Sequence, residues 1–488
     1  MKIRQLQKLG VPRDMTRQAK ELVARARGRG LGPADASARI KQILNEPDAH
    51  KQDEHFGELA KLLSQRRAAL KKLTSGPAQR SEPAPFRQWG QDLDDEALRQ
   101  MDNACRLPVS VRGALMPDAH VGYGLPVGGV LATENAVIPY AVGVDIACRM
   151  KLSVLDMPLK ALDAQRDRLI NAIETETRFG MGAHFGASPE RGRGRRWGGG
   201  GGKRRQHAVL DLDWNISPAT RGLKDKAHAQ LGTSGSGNHF VEFGQLQVED
   251  DNAAALGLPA GGSYLALLSH SGSRGPGSTV AAHYSRLAMN LNPQLPRELV
   301  HLAWLDLDSE EGRSYWAAME LMGVYASANH ELIHLHIARH LGARVLMGIE
   351  NHHNYAWREE HDGRTLIVHR KGATPSGPGV LGIIPGSMAA PAYVVRGRGS
   401  AASLNSSSHG AGRRMSRRQA KLTYRWAQIR DTLAKRGVHL ISAGIDENPF
   451  VYKDIDTVMS QQQDLVEVLA RFEPRLVKMA PEGERPED

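Results

Sequence analysis

A carboxylate and a thiol stand three residues apart in the segment 143–148, which reads GVDIAC. Cys148 is one of only two cysteines in 488 residues, and Asp145 can face the same point as its thiol. A lone buried cysteine is most often a small apolar side chain. A cysteine in a glycine-containing turn beside an aspartate is a better ligand, because a bound metal holds the sulfur as thiolate. The segment therefore predicts a metal site.

Histidines in later polar turns offer further ligands. They are His239 in SGSGNHFVE, His270 in LLSHSGSRG and the pair His352 and His353 in ENHHNY. One such histidine is more often structural, but several together with Asp145 and Cys148 favour a shared site. The glycines before His239 expose backbone N–H groups that suit a phosphate, and Arg274 adds a guanidinium for the same purpose.

His409 lies between hydroxyl side chains and a glycine turn in LNSSSHGAGRRMSR. Neutral imidazole is a competent nucleophile near neutral pH, and a nearby Arg413 can stabilise charge on a transferring phosphoryl group. The sequence has no P-loop lysine motif, so a nucleotide would be held in another way. An earlier turn, MPDAHVGYG, contributes Asp118 and His120 but means little by itself.

A competing metal motif is HELIH at 330–334, which matches the H-E-x-x-H pattern of zinc proteases. His340 stands where a third zinc ligand of a metzincin would fall, and Glu331 would act as the base. The glycine of the metzincin pattern is absent, because Ile337 occupies its place. Short matches in a histidine-rich stretch arise by accident, so the protease interpretation is disfavoured.

Helical patterns and short apolar runs along the chain predict a mixed α/β (α+β) protein. Residues 1–73 read as a charged helical extension, 74–85 as a linker, 86–480 as one large catalytic domain and 481–488 as a tail. Helical patterns fall at 159–176, 316–342 and 416–436, and apolar runs at 127–131, 265–268 and 379–384 predict strands. Residues 191–205, RGRGRRWGGGGGKRR, predict a flexible basic loop.

Two basic segments each leave two interpretations open. The extension is either an arm that faces RNA or a partner, or a solvated helical hairpin packed on the main body. The loop at 191–205 either folds onto RNA phosphates or is a tolerated surface insertion. The chain has 64 Lys and Arg against 53 Asp and Glu, a net charge of +11, which favours a polyanionic partner.

The compartment follows from what the sequence lacks. Two cysteines are too few for a disulfide framework and predict a reducing, cytoplasmic setting. The N-terminus has no signal-peptide core, and no apolar run reaches 18 residues, so no membrane span is predicted.

Taken together, these segments resemble the RtcB family of RNA-splicing ligases over residues 86–479. The resemblance is carried by MPDAHVGYG, GVDIACRM, GSGNHFVE, HSGSRG, HHN, HRKGATPSG, PGSM, SSHGAGRRMSR, YKDID and Lys478, in this order. It implies the family's α/β architecture and two adjacent Mn²⁺ ions bridged by Cys148. Asp145 and His239 would complete one ion's site, and His270 and His353 the other's. Ligand softness alone would have predicted Zn²⁺.

The resemblance also implies a GTP-dependent reaction. His409 would take GMP from GTP, with Asp118 and Arg413 in the catalytic group. GMP would pass to an RNA 3′-phosphate, formed from a 2′,3′-cyclic phosphate, and a 5′-hydroxyl end would displace it. An archease-like activator is a further implied partner. The residues that would contact the guanylate are Asn238, His239, Glu242, His353, Asn354, Pro385, Gly386, Ser387, Met388, His409, Gly410, Ala411, Gly412 and Lys478.

One departure from the family pattern concerns Ala392, which stands where a serine often contacts the guanine. A missing neutral hydrogen bond would weaken binding by about 0.5–1.5 kcal/mol. Two alternatives remain beside the ligase, the first motivated by this altered guanine contact and the second by the net charge of +11 and the two basic segments. One is a metal-dependent phosphodiesterase that opens cyclic phosphates, and the other is an RNA-end-binding protein without ligation.

Overall fold

The computed structural model describes residues 1–12, 15–74, 79–186 and 203–486. The chain forms two compact units, one of Met1–Ala78 with Leu291–Gln294 and one of Gln79–Asn290 with Leu295–Asp488. Most of the predicted basic loop lies outside the described residues. Its last residue, Arg205, is buried, pairs with Glu176 Oε2 at 2.9 Å and lies over the Phe185 ring. Arg205 is therefore an anchored residue of the second unit.

The first unit contains four helices that share a core of their own. They are α1 (Ile3–Leu9), α2 (Thr16–Gly28), α3 (Pro33–Asn45) and α4 (Gly57–Thr74). Helix α2 ends at Gly28, and Pro33 opens α3, where its missing N–H has no cost. Leu6, Ile40 and Phe56 are fully buried in one apolar cluster. The region is thus a small packed helical unit, with more helices than a hairpin.

The second unit contains the strands and the remaining helices. The strands are β1 (Phe86–Gln88), β2 (Ser110–His120), β3 (Val127–Thr133), β4 (Ala136–Val137), β5 (Arg149–Leu155), β6 (Phe240–Val248), β7 (Gly262–Ser271), β8 (Leu305–Asp306), β9 (Val345–His352), β10 (Asn354–His361), β11 (Arg364–Lys371), β12 (Ala373–Pro375), β13 (Leu381–Ser387), β14 (Ala390–Gly397), β15 (Ser406–Ser408), β16 (His439–Ser442) and β17 (Val466–Met479). The helices are α5 (Asp95–Cys105), α6 (Pro139–Val142), α7 (Ala161–Ala164), α8 (Arg166–Glu176), α9 (Lys224–Gln230), α10 (Asp250–Ala253), α11 (Arg274–Leu291), α12 (Glu310–His340), α13 (Arg417–Thr423), α14 (Trp426–Lys435) and α15 (Ile455–Ser460).

Two large sheets form the body of the second unit. One has the order β1-β2-β3-β11-β10, and the other has the order β13-β14-β17-β6-β7-β5-β9 with β16 beside β17. Pairing is antiparallel except between β1 and β2 and between β16 and β17. Short ladders join β12 to β15 and β4 to β8. The prediction of a mixed α/β fold is confirmed.

The predicted elements match the observed ones with shifted ends. The three apolar runs lie in or overlap β3, β7 and β13. Helix α12 begins six residues before the predicted pattern, because Ser309 caps its N-terminus by accepting a hydrogen bond from the Gly312 N–H. The pattern at 416–436 is divided into α13 and α14 at two extended residues, Tyr424 and Arg425. Among the described helices, none has the length and apolar character needed to cross a membrane.

Candidate active site

Four neighbouring strands of the larger sheet bring the predicted ligands to one edge. Cys148 precedes β5, His239 precedes β6, His270 is near the end of β7 and His353 follows β9. Register explains the convergence, since His270 pairs with Met150 on one side and with Phe240 on the other. On the far side of β5, Arg149 pairs with His352. Residues distant in sequence therefore meet because these strands are adjacent in the sheet.

The ligand atoms divide into two pairs on either side of the thiol. Cys148 Sγ lies 3.4 Å from His239 Nε2 and 3.1 Å from His270 Nε2. Asp145 Oδ2 lies 3.0 Å from His239 Nε2, and His353 Nε2 lies 3.2 Å from His270 Nε2. Ligands of one ion lie roughly 3–4 Å apart when each bond is about 2.0–2.3 Å. These five side chains fit a metal centre, with Cys148 between the two pairs.

Hydrogen bonds to backbone carbonyls determine which imidazole nitrogens are unprotonated. A carbonyl only accepts, so Nδ1–H of His239 donates to Ser234 O at 2.8 Å and Nδ1–H of His270 donates to Asn238 O at 3.1 Å. Burial lowers the pKa of His270 and of His353 well below the usual value, which keeps both rings neutral. The Nε2 lone pairs of His239 and His270 therefore point at the cluster.

Asp145 adds a second sign that a cation belongs here. Its Oδ2 atom is buried and receives no hydrogen bond, although His239 Nε2 is its close neighbour. Two atoms that carry only lone pairs repel each other at this distance unless a positive charge lies between them. The donor set of thiol, imidazole and carboxylate is one that divalent transition metals accept.

The turn that carries Asp145 and Cys148 is held by Asn354. The Cys148 N–H donates to Asp145 O, and the Ala147 N–H donates to Asn354 O at 2.7 Å. Ala147 has φ +59°, a conformation that a tight turn requires of it. The Asn354 side chain donates to Asp145 O and accepts from the Gly372 N–H. Asn354 thus positions the ligand turn.

His409 is brought beside this cluster by a chain of backbone hydrogen bonds. The His353 N–H donates to Cys148 O, and the Ala373 N–H donates to His353 O. Ala373 in β12 pairs with Ser408 in β15, the residue before His409. As a result, the ring centroids of His353 and His409 are 5.1 Å apart.

Asp118 orients the His409 ring. Its Oδ2 atom lies 2.7 Å from His409 Nδ1 and also accepts from the backbone N–H groups of His409 and Gly410. Burial alone raises the pKa of Asp118, but the charge and hydrogen bond of His409 outweigh burial and lower it. The ionised carboxylate holds the proton on Nδ1, so Nε2 keeps the lone pair that a nucleophile needs.

A cavity of about 1140 Å³ opens onto this cluster. It is lined by every residue that the family resemblance assigns to the metal, guanylate and catalytic groups except Asp118 and Lys478, whereas Arg274 and His352 also lie outside its wall. Asp118 is fully buried behind His409. On β17, Val477 and Met479 line the cavity, whereas Lys478 Nζ lies 3.5 Å from Glu174 Oε1 and over the Phe179 ring. Alternation along the strand therefore points Lys478 to the opposite face.

Arg413 lines the cavity with its guanidinium already engaged. Nη1 lies 3.2 Å from Glu447 Oε2, and Nη2 donates to Asp446 O at 2.8 Å. The same group lies over the Tyr452 ring. Arg413 is thus held in one orientation at the cavity wall.

Lys371 is a cavity residue that the sequence analysis did not single out, although it lies in the HRKGATPSG segment. Its Nζ donates to Tyr123 O at 2.6 Å, and the side chain is buried. Burial lowers the pKa of Lys371 to about 7. The lowered pKa of this amine depends on its enclosure beside the cavity and was not recognisable from charge alone.

The Lys371 pKa predicts a change in stability with pH. Between pH 7 and 10.5 the unfolded chain binds a proton at Lys371 that the folded chain does not, so this residue destabilises the fold. The penalty is largest at and below pH about 7 and disappears toward pH 10.5. We expect Lys371→Met to gain stability over the wild type at pH 7 and to lose that advantage by pH 10. Urea unfolding of both proteins across this range tests it, and a pH-independent difference would contradict the depressed pKa.

The HELIH segment is a structural part of α12. His330 Nδ1 and His334 Nε2 both contact Ser269 Oγ at 2.9 Å, and His334 Nδ1 contacts Ser153 Oγ. Glu331 is exposed and faces His207, whereas His340 contacts Glu176. The protease interpretation is therefore wrong, because hydroxyls occupy the two histidines and the base points away from them.

The mixed fold and the donor cluster describe a candidate metalloprotein with an oriented histidine at its cavity. The family model for tRNA-splicing ligase RtcB matches residues 100–479. RNA-splicing ligase RtcB of Escherichia coli K12 is 33% identical over 413 residues, 80% of this chain and 96% of that protein. The tRNA-splicing ligases RtcB of Nanoarchaeum equitans and Thermococcus kodakarensis are 32% and 31% identical over 78% of this chain, covering 91% and 90% of those proteins. The chain belongs to the RtcB family, which confirms the resemblance.

Proposed function

We propose that this protein is a GTP- and Mn²⁺-dependent RNA ligase that joins 3′-phosphate or 2′,3′-cyclic-phosphate ends to 5′-hydroxyl ends. The observation that carries the proposal is the placement of His409. Its Nδ1 is held by Asp118, and its ring lies 5.1 Å from that of His353 in the donor cluster. Family membership and the names of the relatives support RNA as the substrate.

The five donor residues would hold two metal ions. Asp145 and His239 would bind one and His270 and His353 the other, with Cys148 shared. When bound, such ions neutralise phosphate charge and align the attacking oxygen. The choice of Mn²⁺ rests on the family, because ligand softness alone would favour Zn²⁺ at a thiolate site.

The guanylate transfer begins at His409 Nε2. Its lone pair attacks the α-phosphorus of GTP, the bond to the bridging β-phosphate oxygen breaks, and pyrophosphate leaves with that electron pair. The Asp118 carboxylate stabilises the positive charge that develops on the ring. The product is a His409–GMP adduct with a phosphorus–nitrogen bond.

The RNA steps then use this adduct. Water opens the cyclic phosphate to a 3′-phosphate, and the 2′-oxygen leaves with a proton. An oxygen of the 3′-phosphate attacks the adduct, the phosphorus–nitrogen bond breaks, and His409 returns to its free form. Finally the 5′-hydroxyl oxygen attacks the 3′-phosphate phosphorus, GMP leaves, and the hydroxyl proton passes to solvent. An archease-like activator would assist turnover.

The guanylate would occupy the wall built from β13, β6 and the glycine turn after His409. Burial raises the pKa of Glu242 well above its usual value, which favours the protonated carboxyl, the form that can donate a hydrogen bond. Ala392 also lines this wall and offers no side-chain hydrogen bond. We therefore expect guanylate binding to depend on Glu242 and on the PGSM backbone.

A ligation assay tests the function directly. Purified protein is incubated with Mn²⁺, GTP and two RNAs, one ending in a 2′,3′-cyclic phosphate and one beginning with a 5′-hydroxyl. The expected product is a joined strand that requires GTP. A cyclic phosphate opened without joining would support the phosphodiesterase alternative, which the alanine at 392 favours. Ends left intact with RNA still bound would support an end-binding protein.

Asp118→Asn is expected to slow formation of the His409–GMP adduct about 100-fold or more, because an amide does not hold the proton on Nδ1 as a carboxylate does. The rate is measured by single-turnover labelling with radioactive GTP. Asp92→Asn is the matched control, since Asp92 lines the same cavity but is exposed and makes no contact with His409. Equal rates for the two variants would contradict the orienting role.

Gly272→Ala is expected to weaken metal binding by displacing one ligand. A Cβ at this position would lie 2.2 Å from Asp145 Oδ2, a distance at which the carboxylate must move. Gly348→Ala in β9 is the control, because its Cβ would meet only Leu152 O at 3.7 Å. Metal titration followed by calorimetry should separate the two variants. Identical affinities would show that Asp145 is not a ligand.

A further inference from the structure

The first unit carries most of the net charge of the protein. Residues 1–74 hold 17 Lys and Arg and 8 Asp and Glu, a net charge of +9. The other 414 residues hold 47 basic and 45 acidic residues, a net charge of +2. The family model begins only at residue 100, so the charge lies outside the part that the match covers. A strongly basic unit joined to a nearly neutral body indicates a polyanion-binding surface on that unit.

The positive charge has an ordered place on helix α2. Arg17, Lys20 and Arg27 recur at helical spacing on one exposed face, opposite the buried residues Ala19, Leu22 and Ala26. The stripe spans about 15 Å along the helix axis, a length over which a double-stranded nucleic acid presents several phosphates. We call this set of three residues the α2 stripe.

Acidic neighbours distinguish the α2 stripe from the adjoining face of the same helix. On that adjoining face, Arg25 pairs with Glu58 at 3.5 Å. On the stripe, the one ion pair among the described residues is between Arg17 and Glu21, at 3.6 Å and with both side chains largely exposed. Lys20 and Arg27 form no ion pair with any residue that the structure describes, so their charge is available to a ligand.

The chemistry of the unit favours the backbone of an RNA duplex over other polyanions. Phe56 is its single Phe, Tyr or Trp residue and is fully buried, so none of these larger rings is offered for stacking on unpaired bases. On α2, the apolar residues Leu22, Val23 and Ala26 are buried in the unit's own core, whereas a membrane-surface helix needs an exposed apolar face. Side chains that offer charge alone suit the phosphates of double-stranded RNA, which proteins recognise mainly by shape.

We propose that the α2 stripe binds the phosphate backbone of double-helical RNA, as a docking surface for stems of the RNA that carries the ends to be joined. The identity of the polyanion as RNA rests on the proposed function. The surface would contribute affinity that does not depend on sequence, because phosphate contacts carry no base information. The chemistry at His409 would not depend on it.

The test measures binding of the full chain to a labelled RNA hairpin with 3′-hydroxyl and 5′-hydroxyl ends, without GTP. The triple variant Arg17→Gln, Lys20→Gln and Arg27→Gln should bind about tenfold more weakly at 0.1 M salt. The slope of log affinity against log salt should flatten by about 2–3, since each lost phosphate contact removes nearly one unit. An unstructured RNA of equal length should lose less.

A matched control removes the same charge elsewhere. Arg166→Gln, Arg344→Gln and Lys435→Gln eliminate three side chains of the second unit that already pair with Asp163, Asp156 and Asp431. This control should bind the hairpin like the wild type. Equal affinity and slope for the two triple variants would overturn the proposal, as would stripe-dependent binding to anionic lipid vesicles without binding to the hairpin.

The design separates this proposal from the proposed function. Hairpin binding needs neither GTP nor reactive ends, so it can succeed even if the protein fails to ligate. The stripe variant should also form the His409–GMP adduct at the wild-type rate. A stripe variant that binds the hairpin normally but loses the adduct would contradict the docking role.

Discussion

His409→Ala is expected to eliminate covalent labelling of the protein by α-radiolabelled GTP. Among the described residues that line the cavity, His409 is the imidazole whose Nδ1 is held by a carboxylate, and the variant removes the Nε2 lone pair that would bond the α-phosphorus. The wild type should label in the presence of Mn²⁺ and release pyrophosphate in equal amount. The assay is denaturing electrophoresis of the labelled protein.

His352→Ala provides the matched control for this experiment. His352 is also a neighbour of the ligand segment, but its ring packs against Tyr355 and Trp357 and is not part of the cavity wall. It should label like the wild type. Labelling of His409→Ala at the wild-type level would show that His409 is not the nucleophile.

Cys148→Ala is expected to cause the greatest loss of metal of any single substitution. The thiol lies within 3.4 Å of a ligand atom in each of the two pairs, so its removal affects both sites. Affinity should fall by more than the roughly 10–100-fold that loss of an outer partner causes. The measurement is metal content after dialysis against a defined Mn²⁺ concentration, followed by GTP labelling of the same sample.

Cys105→Ala is the control, because it removes the other thiol of the chain. Cys105 is fully buried in α5, and burial raises its pKa to about 12, so it remains a thiol that does not bind metal. The control should keep its metal and its label. Equal metal content in the two cysteine variants would exclude the shared-ligand arrangement.

The cluster itself could be predicted from sequence because its residue types are unusual in combination. A single polar turn with a histidine often has a purely structural role. Several such turns in one chain, together with a glycine turn that carries Asp145 and Cys148, favour a shared site. The fold class also followed, since alternation of apolar runs and helical patterns reflects layers that must bury one face. The register of β6, β7, β5 and β9 then explains the meeting of residues more than 200 positions apart.

Side-chain direction and burial could not be predicted in the same way. The family resemblance assigns Lys478 to the guanylate contacts, but the alternation of side chains along β17 points it toward Glu174. Lys371 looked like an ordinary basic residue, and only its enclosure by the fold lowers its pKa. Helix spacing places His330 and His334 of the HELIH match on one face, as a metal site would require. Packing directs that face onto the Ser269 hydroxyl, which the sequence could not reveal.

The first unit shows a different limit. Its charge and helical character were visible in the sequence, and the structure ends one helix at Gly28 and begins the next at Pro33. The sequence left open whether it is an arm or a solvated hairpin. A core of its own and a stripe of one charge on α2 appear only when all four helices are considered together.

Peptide mass spectrometry can locate the GMP and thereby show whether His409 accepts it beside a metal centre. Protein incubated with GTP and Mn²⁺ is digested with trypsin at a pH that preserves phosphorus–nitrogen bonds. We expect the added GMP mass at His409, on the peptide 399–413, GSAASLNSSSHGAGR. GMP found instead on Lys371, the cavity amine with a pKa of about 7, would contradict it.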